Sequence, residues 1–477
     1  MPIYLGIQSI KMKNINVGDI VKITNGKLIT GDTKIICENF SKDTRTIKAA
    51  DVYVGIKGEN FDGNKFWKDA LEKGANVAIV EDIEFGNEEI KKYSSKAIIQ
   101  VENTIIAIGK IAQYKRNMYN IPIIAVTGSV GKTSTKDIIA NVISQKYKTL
   151  KTEANLNNNI GLPFTLLGLK EHEAAVIEMG MNHFGEIKYL TQIAKPTISV
   201  ITNIGTSHIG NLGSRENILK AKLEILEGMK NKILIINNDN DLLNKYYEEN
   251  KNNKEIKIKT YGIENESNIM AEDINIKENY SEFLCKTNDE EFNVTVPVGG
   301  KHFVYNALCA ATIGKTLNIS NEKIQDGIEK FELTKKRMDI ETLENGAKII
   351  NDSYNASFES MSASLKYLSE FKQNRKIAVL GDMFELGEFS KELHLKVGEE
   401  VANNKIDILI CSGENARYIV DGAKNSKMNE KKIFYFENKN DIIKFLKEKI
   451  NITDIVLFKA SNGMRFFDLV EELKKGL

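Results

Sequence analysis

The stretch from Ile121 to Asn141, IPIIAVTGSVGKTSTKDIIAN, constrains this chain more than any other. Ile123, Ile124 and Val126 suit a buried parallel strand, and Ile138, Ile139, Val142 and Ile143 recur with helical spacing, which lays one apolar face on a sheet. Between them lies Gly128-Ser129-Val130-Gly131-Lys132-Thr133. Glycines at 128 and 131 let the backbone turn so that successive N–H groups and the new helix N-terminus converge on one spot, where they can hold a phosphate. Lys132 adds a point charge for the outer phosphates, and the Thr133 hydroxyl is a ligand for Mg²⁺. With Thr127 before it and Ser134 after it, the loop is a candidate ATP-binding segment. Val126 stands where the longer form of the pattern has another glycine, so this is the shortened G-x-x-G-K-T version. The alternative is an ordinary glycine-rich turn between strand and helix.

A second GKT, Gly314-Lys315-Thr316, follows an alanine-rich helical run from Asn306 to Ile313, with no strand before it. Its backbone donors are expected to be spent inside a helix, which makes it a decoy.

At 477 residues the chain predicts about three domains, placed at 1–115, 116–332 and 333–477. Near-neutral charge (+1) with 42% hydrophobic and 27% charged residues is globular and argues for neither nucleic acid nor membrane insertion. The cysteines, Cys37, Cys285, Cys309 and Cys411, form no C-x-x-C pair and fit a reducing compartment. The sequence shows neither a signal-peptide pattern nor a membrane-length apolar run, so a cytoplasmic enzyme is expected.

The fold class expected is α/β throughout. The first domain has short strands at Asp51–Lys57 and Ala75–Val80 around a polar stretch, Ser41 to Phe66. There Asp43, Arg45, Lys57 and Asp62 form either a surface for an anionic ligand or a solvated turn region. The central domain continues with core strands at Ala174–Glu178, Thr197–Thr202 and Lys232–Ile236, a mostly parallel sheet. Beyond Asn253 it adds a small antiparallel sheet that includes Phe292–Val298. Glu178 ends one strand and His208 follows another, where parallel sheets collect ligands. The third domain repeats the alternation, with strands at Lys376–Leu380, Ile406–Cys411 and Asp454–Lys459. It carries no dinucleotide fingerprint.

These segments together resemble the Mur ligases. AVTGSVGKTSTKD, TEANLNNNIGLPFTLL (152–167), EMGMNHFGEI (178–187), TNIGTSHIGNLGS (202–214) and AKLEI (221–225) look like the ordered motifs of that family. GGKHFVYNALCAA (299–311), KRMD (336–339), NDSYNAS (351–357) and LGDMFELGEFSKELH (380–394) resemble its MurF type. The amino-acid-selecting Asp-Asn-Pro-Arg of the ligase one step earlier is absent.

The resemblance implies an N-terminal domain for the UDP end of the substrate, a central ATPase and a C-terminal Rossmann-like domain. The implied reaction joins D-alanyl-D-alanine to UDP-N-acetylmuramoyl-tripeptide with ATP and Mg²⁺, in a chain expected to be a monomer. By matched motif, Lys132 holds the triphosphate, Thr133 and Glu178 one Mg²⁺, and His208 with a carbamylated Lys222 a second. Asn306 and Asp352 contact the adenosine, and Arg337 the terminal phosphate. Asn155, Asn157 and Asn158 face the muramoyl peptide; Asp43, Arg45, Lys57 and Asp62 in the first domain, with Asn355 and Ser461, are further candidates for substrate contact. His183 lies in a family-like segment without an assigned role, and His172 and His394 are expected to be structural. The chain departs from the family pattern at Leu223 (usually glycine), Phe358 (usually proline) and Lys459-Ala460-Ser461-Asn462 (commonly Lys-Gly-Ser-Arg). A folylpolyglutamate-synthetase-like ligase and a nucleotide-dependent switch are the rival readings.

Overall fold

The computed structural model describes residues 14–475; residues 1–13 and 476–477, which belong to the expected outer domains, lie outside the described residues. The chain forms two compact units. One runs to Thr127 and resumes at Lys146–Val200 and Leu223–Leu234; the other takes Gly128–Gln145, Ile201–Lys222 and Ile235 onward.

The first unit holds a five-stranded sheet of β1 (Lys27–Thr30), β2 (Phe40–Ser41), β3 (Val52–Val54), β4 (Val77–Val80) and β5 (Ala97–Gln100), ordered β1-β5-β4-β3-β2. Every pair is parallel except β1 with β5. Val77–Val80 is apolar at each position because both its faces are buried. Trp67 packs edge-on to Tyr93 at 5.3 Å within a cluster that includes Tyr53, Leu71 and Ile98. The strand expected over Asp51–Lys57 is shorter, ending at Val54. Past it the backbone groups pair locally instead: Gly63 N–H donates to Ile56 O at 2.9 Å and Lys57 bridges Asp62, closing a small hairpin.

The same unit carries β6 (Ile123–Thr127), β7 (Thr149–Lys151), β8 (Ala174–Glu178) and β9 (Ile198–Ile201), neighbours in the order β9-β6-β8-β7. β6 pairs in parallel with β8, placing Glu178 opposite Val126. Both strands are buried along their whole length, so IIAVT and AAVIE carry almost no charge. Two cations at the end of the helix Thr104–Asn117 finish neighbouring helices. Lys115 Nζ donates to Leu167 O at 2.8 Å, and Arg116 Nε to Ala194 O at 2.7 Å, satisfying carbonyls that a helix end leaves unpaired. Burial pushes Lys115 down to about 8.

The second unit contains α1 (Lys132–Ser144), α2 (Arg215–Leu223), α3 (Lys301–Thr316) and α4 (Phe358–Ser369). Strands β10 (Ile256–Gly262), β11 (Ile269–Ile276), β12 (Ser281–Thr287) and β13 (Glu291–Val296) follow one another. β10 and β11 are parallel, while β11, β12 and β13 form an antiparallel meander with alternating burial along β12 and β13, as one wet face requires. The alanine-rich α3 is buried on nearly every side and packs on α1.

A six-stranded sheet completes this unit: β14 (Asp339–Thr342), β15 (Lys348–Asn351), β16 (Arg375–Leu380), β17 (Ile408–Cys411), β18 (Ile433–Tyr435) and β19 (Asp454–Lys459). Its order is β14-β15-β19-β16-β17-β18, parallel apart from β14. The central strand β19 is buried throughout. The carboxyl ends of β15, β16 and β19 therefore open side by side, the position where such sheets bind ligands.

Candidate active site

α1 begins at Lys132, capped only by the backbone of Gly131, whose φ is 80°. Gly131 has no side chain to cap the first N–H groups, which a helix cannot satisfy from within. Gly128 has φ 152°, and a Cβ there would lie 1.8 Å from Thr202 Oγ1. The loop can hold its shape only with glycine at 128, because Thr202 occupies the side-chain position and donates to Val130 O at 2.7 Å. Asn203 grips the same loop: its Oδ1 accepts from Val130 N–H at 3.0 Å and its carbonyl from Ser129 N–H at 3.0 Å. Lys132 Nζ lies over the loop, donating to Gly128 O at 2.8 Å.

Two further sequence candidates join this loop. Asn306, on α3, accepts at Oδ1 from Thr135 Oγ1 at 3.0 Å. Lys222, on α2, is 1% exposed. Burial holds its ammonium well below the ordinary lysine range, and the nearby charge of Lys132 pushes in the same direction. Lys222 is therefore biased toward a neutral, nucleophilic amine. His208 begins the helical turn Ile209–Leu212 with φ 64°, its Nδ1 paired with Glu385.

A second group forms at the carboxyl ends of β15 and β19. Asp352 accepts from Met338 N–H at 3.2 Å, Ser364 Oγ at 2.6 Å and the ammonium of Lys459. Lys459 Nζ also donates to Asn355 O at 3.1 Å, and Asn462 Nδ2 to Tyr354 O at 2.9 Å, so the loops carrying Asn355 and Ser461 are tied together. Ser461 is buried and accepts at Oγ from Phe384 N–H at 2.8 Å. Arg337 lies over Tyr354, its guanidinium carbon 3.9 Å from the ring centroid, with Nε buried and unpaired. Both its neighbours, Lys336 and Met338, are non-glycine residues at positive φ (66° and 56°). Such a backbone costs energy and persists only where its surroundings hold it, here through Asp352 and the Tyr354 N–H to Lys336 O bond of 3.1 Å.

In the first unit, Glu178 is 2% exposed at the end of β8 and accepts from Asn157 Nδ2 at 2.8 Å. Asn158 Oδ1 accepts from Gly161 N–H at 2.8 Å, just ahead of the helix Gly161–Leu167, while Asn155 is exposed. Asp43 and Arg45 pair with each other at the surface, and the Arg45 hydrogen bond holds Asp43 down to about 2. Asp62 caps the turn at Asn64, and Lys57 lies 3.6 Å from Asp82. Asp43 and Arg45 are thus paired with each other, while Lys57 and Asp62 lie on the small hairpin. His172 accepts from Lys170 N–H at 3.2 Å and His394 from Met383 N–H at 2.9 Å, both inside the fold; the N–H of His183 lies 3.4 Å from Glu186. Lys315 of the second GKT pairs with Glu290 at 2.8 Å in the last turn of α3.

Sequence reasoning passed over Lys459, Glu359 and Glu385. Lys459 stands in a segment singled out for its departure from the family pattern, a signal that could have drawn it into the site. The two glutamates carry no local mark, since their partners lie more than 150 residues away in sequence. Among the described residues no three His, Cys, Asp or Glu side chains converge on a metal position. No described helix is long and apolar enough to cross a membrane, and all four cysteines are free and buried.

Fold and loop together define an α/β nucleotide-binding protein of the P-loop kind. Comparison with known proteins narrows the class. Three family models match in succession: the Mur ligase family catalytic domain at 39–116, the Mur ligase middle domain at 126–314 and the Mur ligase glutamate ligase domain at 336–462. The chain is 35% identical to the UDP-N-acetylmuramoyl-tripeptide--D-alanyl-D-alanine ligase of Bacillus subtilis, over 96% of this chain and 98% of that one. A crystal structure of MurF from Acinetobacter baumannii superposes with a TM-score of 0.86 at 29% identity, covering 98% of this chain and 100% of that one. The MurF ligase of Thermotoga maritima, solved in complex with ADP, gives 0.79 at 28% identity, over 92% and 97%. The chain belongs to the Mur ligase family, among its MurF members.

Proposed function

We propose that this chain is an ATP-dependent ligase that joins D-alanyl-D-alanine to UDP-N-acetylmuramoyl-tripeptide, giving UDP-N-acetylmuramoyl-pentapeptide, ADP and phosphate. The observation that carries the reading is the glycine-built phosphate loop with a second lysine near its own, Lys222, whose ammonium burial disfavours. The near full-length identity to a ligase of that name supports the choice of substrates.

A carboxylate and an amine do not condense unaided in water, so the acid must first gain a leaving group. The terminal carboxylate of the tripeptide attacks the γ-phosphorus of ATP, ADP departs, and an acyl phosphate results. The dipeptide amine then attacks the acyl carbon and phosphate leaves. Two anions meet in the first step, and the protein's part is to position them and offset their repulsion. Lys132 and the loop from Thr127 to Ser134 take the phosphates, the loop by N–H groups other than those of Ser129 and Val130, which donate to Asn203; Asn306 and Asp352 take the adenosine, and Arg337 the terminal phosphate. The unpaired Nε of Arg337 and the unpaired, buried Oγ1 of Thr127 leave donors for a ligand at both places.

The oxygen and imidazole donors of these side chains are chemically suited to Mg²⁺, and by the family resemblance Thr133 and Glu178 would hold one ion and His208 with Lys222 a second. Bound there, Mg²⁺ would neutralise phosphate charge and orient the oxygens. The Glu385 contact at Nδ1 leaves Nε2 of His208 for a metal, the usual arrangement for a ligating histidine. A neutral Lys222 amine can add to CO₂ and lose a proton, giving a carbamate whose oxygens would serve as ligands. Asn155, Asn157 and Asn158 would face the muramoyl peptide, Asp43, Arg45, Lys57 and Asp62 the UDP end, and Asn355 and Ser461 the dipeptide. The division into domains at 115/116 and 332/333 belongs to the same proposal.

Purified protein given MgATP, D-alanyl-D-alanine and the UDP-tripeptide, assayed in its lysine and diaminopimelate forms, should release one phosphate per pentapeptide made. Phosphate release with a different acid and amine pair, and none with these, would overturn the reading.

A further inference from the structure

The segment Thr202–Gly210 is held from two sides. On one side it is laced to the phosphate loop. Besides the Thr202 and Asn203 contacts, Gly205 N–H donates to Ser129 Oγ at 2.9 Å and Ser207 Oγ to Ser129 O at 3.2 Å. On the other side it meets two carboxylates remote in sequence. Glu359 takes Thr206 with both oxygens, Oε1 from the N–H at 2.7 Å and Oε2 from the hydroxyl at 3.1 Å. Glu385 pairs with His208, and its carbonyl accepts from Gly210 N–H at 3.0 Å. The fit at Glu359 is close, for a Cβ on Gly205 would lie 2.4 Å from its carboxyl carbon.

An acidic residue in the first turn of a helix ordinarily serves that helix, by its charge or as a cap. In α4 that work is already done: Ser357 caps the helix, and its side chain and that of Ser360 form a reciprocal box. The Glu359 carboxylate is directed instead at Thr206. Ionised acceptors make the stronger and more directional hydrogen bonds, so this clasp restrains the segment more than a neutral pair would. Arg215 adds a restraint at the neighbouring residue, donating to Ile204 O at 2.8 Å. The Ser129 and Val130 amides, whose acceptors are supplied by Asn203, thus depend on a segment that Glu359 pins down from α4.

We propose that Glu359 is a positioning residue for the ligase reaction, fixing Thr202–Gly210 so that the phosphate loop and His208 keep their geometry, with Glu385 as the second point of the clasp. It touches no reacting atom; it acts through Thr206. This role rests on the ligase reading above, but the restraint itself can be measured without catalysis.

The test uses the full chain with Glu359→Ala, Glu359→Gln and Thr206→Val. In Glu359→Ala, kcat/KM for ATP should fall by up to about 100-fold, as loss of a positioning contact can cause, while KM for D-alanyl-D-alanine stays at the parent value. Glu359→Gln, which keeps an acceptor for Thr206 N–H, should recover most of that loss. Hydrogen exchange at the Ser129 and Val130 amides should quicken about tenfold in Glu359→Ala, without ligand, as a local opening becomes easier. Unchanged exchange and unchanged kcat/KM in Glu359→Ala would overturn the proposal. Should that variant fail to fold, Thr206→Val, which removes only the hydroxyl, must show a smaller change in the same two readouts, and its absence counts equally against the clasp. A parent protein that does not ligate defeats the ligase reading, whereas the exchange data still judge the clasp.

Discussion

Gly131-Lys132-Thr133 and Gly314-Lys315-Thr316 spell the same tripeptide at opposite ends of helices. The first opens α1, where Gly131 is the cap and the leading N–H groups have no acceptor within the helix. The second closes α3, where Thr316 Oγ1 donates back to Thr312 O at 2.6 Å and Lys315 is paired with Glu290. A helix start presents donors and partial positive charge, and a helix end presents acceptors and partial negative charge. The same three letters therefore present donors of the kind a phosphate needs in one place and a lysine paired with a carboxylate in the other. What distinguishes them is the buried strand β6, which delivers the chain to the first loop and has no counterpart before the second.

The sharpest way to break this contrast is to remove each lysine. Lys132→Ala should reduce ATP-dependent phosphate release by about 1,000-fold, the upper range for losing one stabilising group around a transferring phosphoryl. Lys315→Ala, which loses a partly exposed ion pair with Glu290 and a hydrogen bond to Asn321 Oδ1, should lower the melting temperature by no more than a few degrees and leave turnover intact. Equal turnover in the two variants would erase the distinction.

The glycines come next. Gly128→Ala drives a methyl into Thr202 Oγ1, and the strain of about 1–3 kcal/mol should weaken ATP binding roughly 10- to 100-fold by calorimetry. At Gly314 the added methyl meets the flexible end of Ile324 at 2.7 Å, and the helix gains about as much from alanine as the packing loses, roughly 1 kcal/mol. ATP affinity in Gly314→Ala should match the parent. A loss there as large as at Gly128 would mean that the second GKT also serves nucleotide.

Beyond the two loops, Asn157→Ala removes the donor to the buried Glu178 carboxylate. If Glu178 holds Mg²⁺, the metal concentration for half-maximal activity should rise about tenfold, as it does when an outer partner of a ligand is lost. An unchanged Mg²⁺ requirement would remove Glu178 from the metal site.

The smallest effect concerns the opening turn of α3, the helix that ends in the second GKT. Burial pushes His302 down from 6.5 to about 4. Between those values the unfolded chain binds the proton and the folded chain does not, so stability declines as pH falls from about 6.5 to about 4. His302→Phe should flatten this part of the profile, by a few degrees of melting temperature relative to the parent at about pH 4. Parallel profiles for the two proteins would show that His302 takes up its proton without penalty.

The phosphate loop, its strand and its helix are legible in residues 121–141 because each rests on local rules: β-branched burial, glycine torsions and helical spacing. The same holds for β8 and β19, whose limits match the expected Ala174–Glu178 and Asp454–Lys459. The strand at Asp51 was overextended, since the pattern does not register that Ile56 and Lys57 pair with a hairpin rather than with the sheet. Ordered motifs were enough to reach the family.

Short-range pattern could not say what those residues do to one another. That burial, and after it the charge of Lys132, depresses Lys222, that Asp352 accepts from Met338, Ser364 and Lys459, and that Glu359 pins Thr206 all come from contacts between distant segments. Burial and the field of neighbouring charges set the protonation and direction of each group, and both exist only once the chain has folded.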